Sequence, residues 1–398
     1  MKTIHVFTVA AANYLPKARV LLTSLRRQHP DWRLHFAVCD APPPAEALAG
    51  LGADEVHQLD SLEIPNLRRW AFCHSLIELA TAIKPFVLKK LLARADCAAA
   101  VYLDPDIAVL SPMSDVEDAL HAADIVLTPH LTDPERAVPG IVANEISTMQ
   151  HGIYNLGFIG VAARDEGRRF AAWWSERTYR YCREDIPDGI YTDQRWVDFA
   201  PAFFDKVKVL RTPGLNAAPW NLPNRNMAGG FERGFTVNGQ PLVFFHFSQL
   251  GVMPDARTTG GQSAAAELVE WYRRETMPTA GEKAVSAHYA YDRFADGSPI
   301  AAEQRLVYRA RPDVQRAHPD PFAHGDGSYA AWWKAHARTE YPRLFNPATK
   351  PAEMQQLQAF LTYRRDGEDI VGDDAVAPAA VYGGAMSKVA SFIRKIAR

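Results

Sequence analysis

Two carboxylates stand two residues apart in "YLDPDI": Asp104 and Asp106 flank Pro105 at the end of the apolar run 98–103. In a continuing strand they would share one face. Pro105 cannot donate to a sheet ladder, so both aspartates leave the sheet together. Close carboxylates repel, and a proton or a cation relieves the repulsion. Hard divalent cations such as Mg2+ or Mn2+ prefer oxygen ligands of this kind and also bridge phosphates. The same pattern equally suits a turn with capping aspartates. Three later stretches carry further polar groups beside apolar ones: "YNLGFIGV" with Asn155, "YTDQRWVDF" with Asp193 and Gln194, and "FFHFSQL" with His246. Taken singly, each has a plain structural account, as a turn residue, a helix N-cap and a core histidine.

The elements that must position these groups alternate along the first 250 residues. Short β-branched or apolar runs at 4–10, 34–40, 99–104, 124–129, 155–163, 206–210 and 241–248 read as strands. Between the first two, Pro16 suits an opening helical turn, and Ala18, Leu21, Leu22 and Leu25 recur at helical spacing. Residues 75–95 read as two helical pieces split at Pro85, because the residue before a proline is disfavoured in helical geometry. Strand, helix, strand in sequence predicts an α/β domain whose mixed, mostly parallel sheet has helices on both faces. Ligands of such sheets bind outside the carboxyl ends of the strands. Beyond Gly251 the pattern turns mostly helical. Residues 366–384 read as a linker, and "AMSKVASFIRKIAR" as a basic amphipathic helix suited to an anionic membrane surface or to docking on the domain.

Composition limits the classes of function. The chain has 398 residues, is 47% hydrophobic and 23% charged, and carries a formal charge of −2. That is a globular protein with no global pull toward nucleic acid. Its four cysteines are scattered without a C-x-x-C pair and read as buried thiols of a reducing compartment. No apolar run reaches membrane-spanning length, and the N-terminus reads as a core strand, so the expectation is a cytoplasmic protein, peripheral at most to the inner membrane face. No G-x-G-x-x-G follows a strand, no Walker loop is present, and H-E-x-x-H is missing, which sets aside dehydrogenase, P-loop and zinc-peptidase chemistry.

In this order, the motifs resemble retaining glycosyltransferases of the GT-A fold, the glycogenin and bacterial lipooligosaccharide galactosyltransferase family. Asn13–Tyr14, Tyr102–Asp106, Asn155–Gly157, Asp193–Gln194 and His246 carry the resemblance. It implies a GT-A nucleotide-diphospho-sugar transferase domain over 1–250; the C-terminal third lies outside the motif match, and there the residue pattern alone gives a mostly helical region over 251–365 and a linker with tail helix over 366–398. It further implies that Asp104, Asp106 and His246 ligate Mn2+ or Mg2+, with Asp104 also near the nucleotide ribose. The loop containing Thr8, Ala10, Asn13 and Tyr14 would hold the nucleoside, Tyr14 packing on the base. Asn155, Asp193 and Gln194 would surround the donor sugar, Asp193 being the carboxylate a double displacement would use, and Lys84 would approach the phosphates. The implied activity is transfer from a UDP-sugar to a glycan or lipid-linked saccharide in lipopolysaccharide-type surface polysaccharide synthesis, with retention. Two departures stand out. Relatives carry a phosphate-contacting lysine after the late histidine, whereas "HFSQLGVMPDAR" offers only Arg257; and Arg195 follows the Asp–Gln pair. "GLNAAPWNL" (214–222) has the polar and aromatic character of a sugar-binding loop, with Trp220 as platform or core anchor, and His130 and Asp133 follow a strand end. The alternatives are a non-catalytic nucleotide-sugar or glycan binder and a sugar nucleotidyltransferase. The latter would carry a basic glycine-rich segment where this chain has "AAANYLPKAR".

Overall fold

The strands that concern the site are β1 (Thr3–Ala10), β2 (Arg33–Val38), β3 (Glu55–His57), β4 (Cys97–Leu103), β5 (Ile107–Val109), β6 (Ile125–Pro129), β7 (Tyr154–Ala162), β8 (Val207–Val209) and β9 (Phe244–His246). Seven of them form one sheet in the order β8-β6-β7-β4-β1-β2-β3, while β5 and β9 form a separate antiparallel ladder. The computed structural model describes residues 2–252, 254–283, 285, 289–364 and 370; the linker and tail read over 366–398 fall outside these, Ile370 excepted.

All neighbours in the sheet are parallel except those of β7, which runs antiparallel to both β4 and β6. This is the mixed, mostly parallel sheet expected from the sequence. Helices cover both faces. On one, α1 (Leu15–Gln28) packs Leu15, Ala18, Leu21, Leu22 and Leu25 against Val6, Phe36, Val101 and Phe158. On the other, α2 (Lys84–Leu92) lies against β4 and β1, and α3 (Asp165–Tyr181) lies against α2. The helical break falls at Ile83, and Pro85 opens α2, where its missing N–H costs nothing. Two short elements complete the site: α4 (Gln194–Val197), and α5 (Ser263–Glu275), whose Tyr272 stacks on Phe247.

The described residues fall into two units, one within 2–62 and 80–285 and the other within 63–79 and 289–370. The second unit is helical. Phe72 meets the rings of Tyr308, Phe322 and Tyr329 edge-on, and the Arg305 guanidinium donates to the Phe72 carbonyl at 2.8 Å, which binds residues 63–79 to the later helices.

One buried polar feature of the sheet has no local sequence signature. His5, His35 and His57, from β1, β2 and β3, stack in a row, with Nδ1···Nε2 separations of 2.9 and 3.0 Å. Asp96, Glu55, Asp54, Arg94 and Lys90 are the charged groups that bear on them. Burial lowers all three imidazoles, and the mutual repulsion of His57 and His5 helps bring His35 down to about 3. An unfolded histidine takes up a proton near 6.5, which the folded row refuses. Stability is therefore complete above that pH and is lost as pH falls toward about 3, by about 1.4 kcal/mol per pH unit for each proton withheld. Urea unfolding between pH 7 and pH 5 is expected to show this decline, and His35→Leu to make it shallower by about one proton; equal slopes would contradict the account.

Candidate functional site

Parallel strands all present their carboxyl ends on one side of the sheet, and the antiparallel β7 presents its beginning there. Thus Asp104 after β4, Thr128 and His130 at the end of β6, and Asn155 at the start of β7 converge. The Asp104 N–H donates to the Gly157 carbonyl at 2.9 Å, which extends the β4–β7 ladder to the first aspartate. Asp104 to Ile107 then form a turn closed by the Ile107 N–H to the Asp104 carbonyl at 3.1 Å, with Pro105 at its second position, where a fixed φ is favoured. The segment is a turn, and that turn brings two carboxylates out beside His246.

His246 reaches these carboxylates through the small ladder. His246 pairs with Ile107 across β9 and β5, and the Phe247 N–H donates to the Asp106 carbonyl at 2.8 Å. His246 Nε2 lies 3.0 Å from Asp106 Oδ1 and 3.6 Å from Asp104 Oδ2. One ligating atom from each of the three residues fits within 4.8 Å of the others. Burial opposes charge on both His246 and Asp106, but their attraction outweighs it, raising the imidazole and lowering the carboxyl. Two carboxylates and an imidazole at this spacing are a donor set for a small divalent cation, so the residues fit the ion that the resemblance implies. A second trio, His35, Glu55 and His57, also meets the spacing, but Glu55 is held by Arg94 at 3.1 Å and the imidazoles by one another.

Lys84 underlies the cluster. Its buried ammonium lies 3.4 Å from Asp104 Oδ1 and 3.3 Å from Asp193 Oδ2, and donates to the Leu156 carbonyl at 3.1 Å. It also sits over the Tyr102 ring, whose hydroxyl donates to the same Asp104 oxygen. Burial works against the ammonium, but Asp104 and Asp193 raise its pKa and keep it charged. Asp193 is buried too, and burial raises its carboxyl although Lys84 offsets part of the effect. Its side chain makes no cap bond to α4; it faces Lys84 and accepts from Thr192 Oγ1 at 3.2 Å. Thr192 pays for this placement with φ +44.

Asn155 and Gln194 set the backbone of β7. Gln194 accepts from the Leu156 N–H at 2.8 Å and donates to the His151 carbonyl at 3.0 Å. Asn155 Oδ1 accepts from the Gly157 N–H at 3.2 Å and from Asn216 at 3.0 Å, while its Nδ2 meets His130 Nε2 at 3.1 Å. Burial lowers His130 to about 4, which leaves it a neutral acceptor at pH 7. Trp220 donates to the His130 carbonyl and stands edge-on between the His130 and His246 rings, at 5.6 and 5.2 Å. Trp220 is thus an anchored residue that also borders the carboxylate–histidine cluster.

The β1 end supplies Thr8, whose buried Oγ1 makes no hydrogen bond, buried Ala10, exposed Asn13 and half-buried Tyr14. Among the described residues no hydrogen bond joins these side chains to the aspartates. Arg257 is exposed on the short helix Asp255–Thr258, with no ion pair or side-chain hydrogen bond among the described residues. Sequence reasoning gave no role of their own to Tyr102 and Asn216, although both lie in stretches it singled out. Tyr102 carried a signal, being two residues before Asp104 and so on the same strand face.

The sheet and site define a class, an α/β domain with a carboxylate–histidine cluster at its strand ends. No protein-family model matches the chain. It is 26% identical to two uncharacterized proteins of Bacillus subtilis (strain 168): YfnF over 174 residues (43% of this chain, 56% of YfnF) and YfnD over 253 residues (62% and 78%). The chain thus spans little more than half of YfnF. Among solved structures it is similar to the galactosyltransferase LgtC in complex with donor and acceptor sugar analogs, at 18% identity and TM-score 0.43, covering 68% of this chain and 95% of that one. It is also similar to the glycosyltransferase GlyE of Streptococcus pneumoniae TIGR4 (12% identity, 70% and 61% coverage, TM-score 0.40) and to mouse xyloside xylosyltransferase 1 (14%, 64% and 99%, 0.39).

Two substitutions test the geometry. A Cβ on Gly157 would stand 2.6 Å from His246 Cε1 and 2.7 Å from Asn155 Oδ1, whereas one on Gly160 meets only Leu120 and Val126 side chains at 3.3 Å or more. Gly157→Ala is expected to cost about 1–3 kcal/mol in denaturant unfolding and to weaken Mn2+ binding, with Gly160→Ala the milder change. Lys84→Met strands two carboxylates and is expected to cost about 3–5 kcal/mol, part of which Asp193→Asn restores in the double variant.

Proposed function

We propose that this protein is a metal-dependent glycosyltransferase that moves a sugar from a nucleoside diphosphate sugar, a UDP-sugar above all, to a saccharide or lipid-linked acceptor. One observation carries the reading: Asp104, Asp106 and His246, distant in sequence, meet within 4.8 Å at the carboxyl ends of the sheet. They would hold a divalent cation, Mn2+ or Mg2+. When bound, that cation supplies positive charge where the leaving diphosphate develops negative charge.

The protein's own residues do the rest. Lys84 fixes Asp104 and Asp193 in one orientation. Gln194 and Asn155 hold the 155–157 backbone against the pocket floor, and Gly157 leaves space below His246. Trp220, beside His246 and His130, offers a ring face for a sugar. In the transfer, the bond from the anomeric carbon to the phosphate oxygen breaks. The acceptor oxygen bonds to that carbon, and its proton passes to the departing phosphate. Asp193 is only 1% exposed and committed to Lys84, which supports this same-face route over a covalent sugar–Asp193 intermediate; retention is common to both routes and rests on the family resemblance. The segment 138–151 between β6 and β7 leaves Val138, Val142, Ile146 and Met149 exposed, which supports an acceptor with an apolar part.

The complete ligand set argues against a non-catalytic glycan binder, and a nucleotidyltransferase would carry the glycine-rich basic loop missing after β1. The test is thermal unfolding with UDP, Mn2+ and both, followed by assay of UDP released from a panel of UDP-sugars. Stabilisation is expected only with both ligands present, and Asp106→Asn should abolish it and lower turnover by about 100-fold or more. Stabilisation without turnover on any donor would identify a binder; no response to nucleotide and metal would sink the reading.

A further inference from the structure

A nucleoside diphosphate at the Asp104–Asp106–His246 cluster carries more negative charge than one divalent cation offsets while the carboxylates share that cation. Lys84 cannot supply the balance, because its buried ammonium is already engaged by Asp104, Asp193 and the Leu156 carbonyl. Lys17 is differently placed. It lies in the first turn of α1, half-buried, and among the described residues its ammonium makes no ion pair or hydrogen bond. It rests over the Tyr14 ring, 4.1 Å from the centroid.

The register of β5 on α1 brings Lys17 to the cluster. The Val109 N–H donates to Ser24 Oγ at 3.0 Å, and Gln28 Nε2 donates to the Leu110 carbonyl at 3.3 Å, so strand and helix advance in the same direction. Three strand residues back from Val109 cover about 10 Å and end at Asp106. Seven helical residues back from Ser24 also cover about 10 Å and end at Lys17. The charge of Lys17 accordingly reaches Asp106. The amino end of α1 adds its own positive potential at the same place.

We infer that Lys17, held over Tyr14 at the start of α1, is the cationic contact for the phosphates of the leaving nucleoside diphosphate, in place of a lysine from the segment after His246. This rests on the glycosyltransferase reading and adds to it the source of the second positive charge. Tyr14 then has two neighbours to serve, with the Lys17 ammonium on its ring and the nucleoside beside it.

The probe is inorganic pyrophosphate, titrated calorimetrically into the full chain at saturating Mn2+, with Mn2+ alone titrated separately. Lys17→Ala is expected to weaken pyrophosphate binding about tenfold without weakening Mn2+ binding, and Lys17→Arg to retain most of the affinity. Asp106→Asn should lose both. Thermal unfolding of Lys17→Ala without ligands should match the parent, since the side chain makes no bond the fold needs. If Lys17→Ala binds pyrophosphate as tightly as the parent while Asp106→Asn does not, Lys17 has no such role and the glycosyltransferase reading stands. If the parent chain with Mn2+ binds no pyrophosphate, both fall together.

Discussion

A buried ammonium among carboxylates is the constraint on which the site depends. Lys84 is enclosed at the start of α2, and a charge in that position must be paired and hydrogen-bonded or it would lose its proton. Its partners come from three separate stretches: Asp104 after β4, the Leu156 carbonyl in β7, and Asp193 before α4. The central strand pair and the 190s loop are therefore fixed relative to one another by one side chain. An ion pair of this kind adds little net stability over an apolar filling, but breaking it is costly, so it specifies the arrangement more than it strengthens the fold.

The reversed strand β7 is the second condition. Had it run parallel to β4, Asn155 would sit at the opposite edge of the sheet from Asp104. Running antiparallel, it places Asn155, Leu156 and Gly157 beside the aspartates, and Gly157 alone among residue types leaves room for the His246 ring and the Asn155 amide above it. The conformational cost of glycine within a strand is accepted here because the space is used.

Much of this was legible in the residues. The strand runs, the helix after Pro16, the break near Pro85 and the turn at Pro105 each follow from local rules of proline and apolar spacing, and each is present within a residue or two except the run 241–248, of which Phe244–His246 forms β9 outside the main sheet. The convergence of Asp106 with His246 was expected from motif order, but nothing in either stretch tells of the β5–β9 ladder that joins them, since three-residue strands leave almost no periodic signal. Asp193 shows the other limit. Its place before a short helix suits an N-cap, yet its side chain turns to Lys84, because a buried cation outbids exposed backbone N–H groups. The histidine row is legible only afterwards: residues 5, 35 and 57 become neighbours through strand register, which no local pattern encodes.

The electrostatic balance of the site ties these features to its use. Two carboxylates, Asp104 and Asp193, face one committed ammonium, Asp106 faces His246, and that imidazole is drawn toward charge only by its acidic neighbours. The protein thus leaves negative potential unmatched at the strand ends. A divalent cation would answer that potential, and with it in place the same position would favour an anion. A diphosphate would arrive at a centre whose remaining positive charge stands at the start of α1 and not within the sheet. Such an arrangement makes cation and phosphate mutually supporting, since each is poorly accommodated without the other, and it keeps the fixed charges of the fold below the reacting atoms, where they orient the carboxylates without competing for the leaving group.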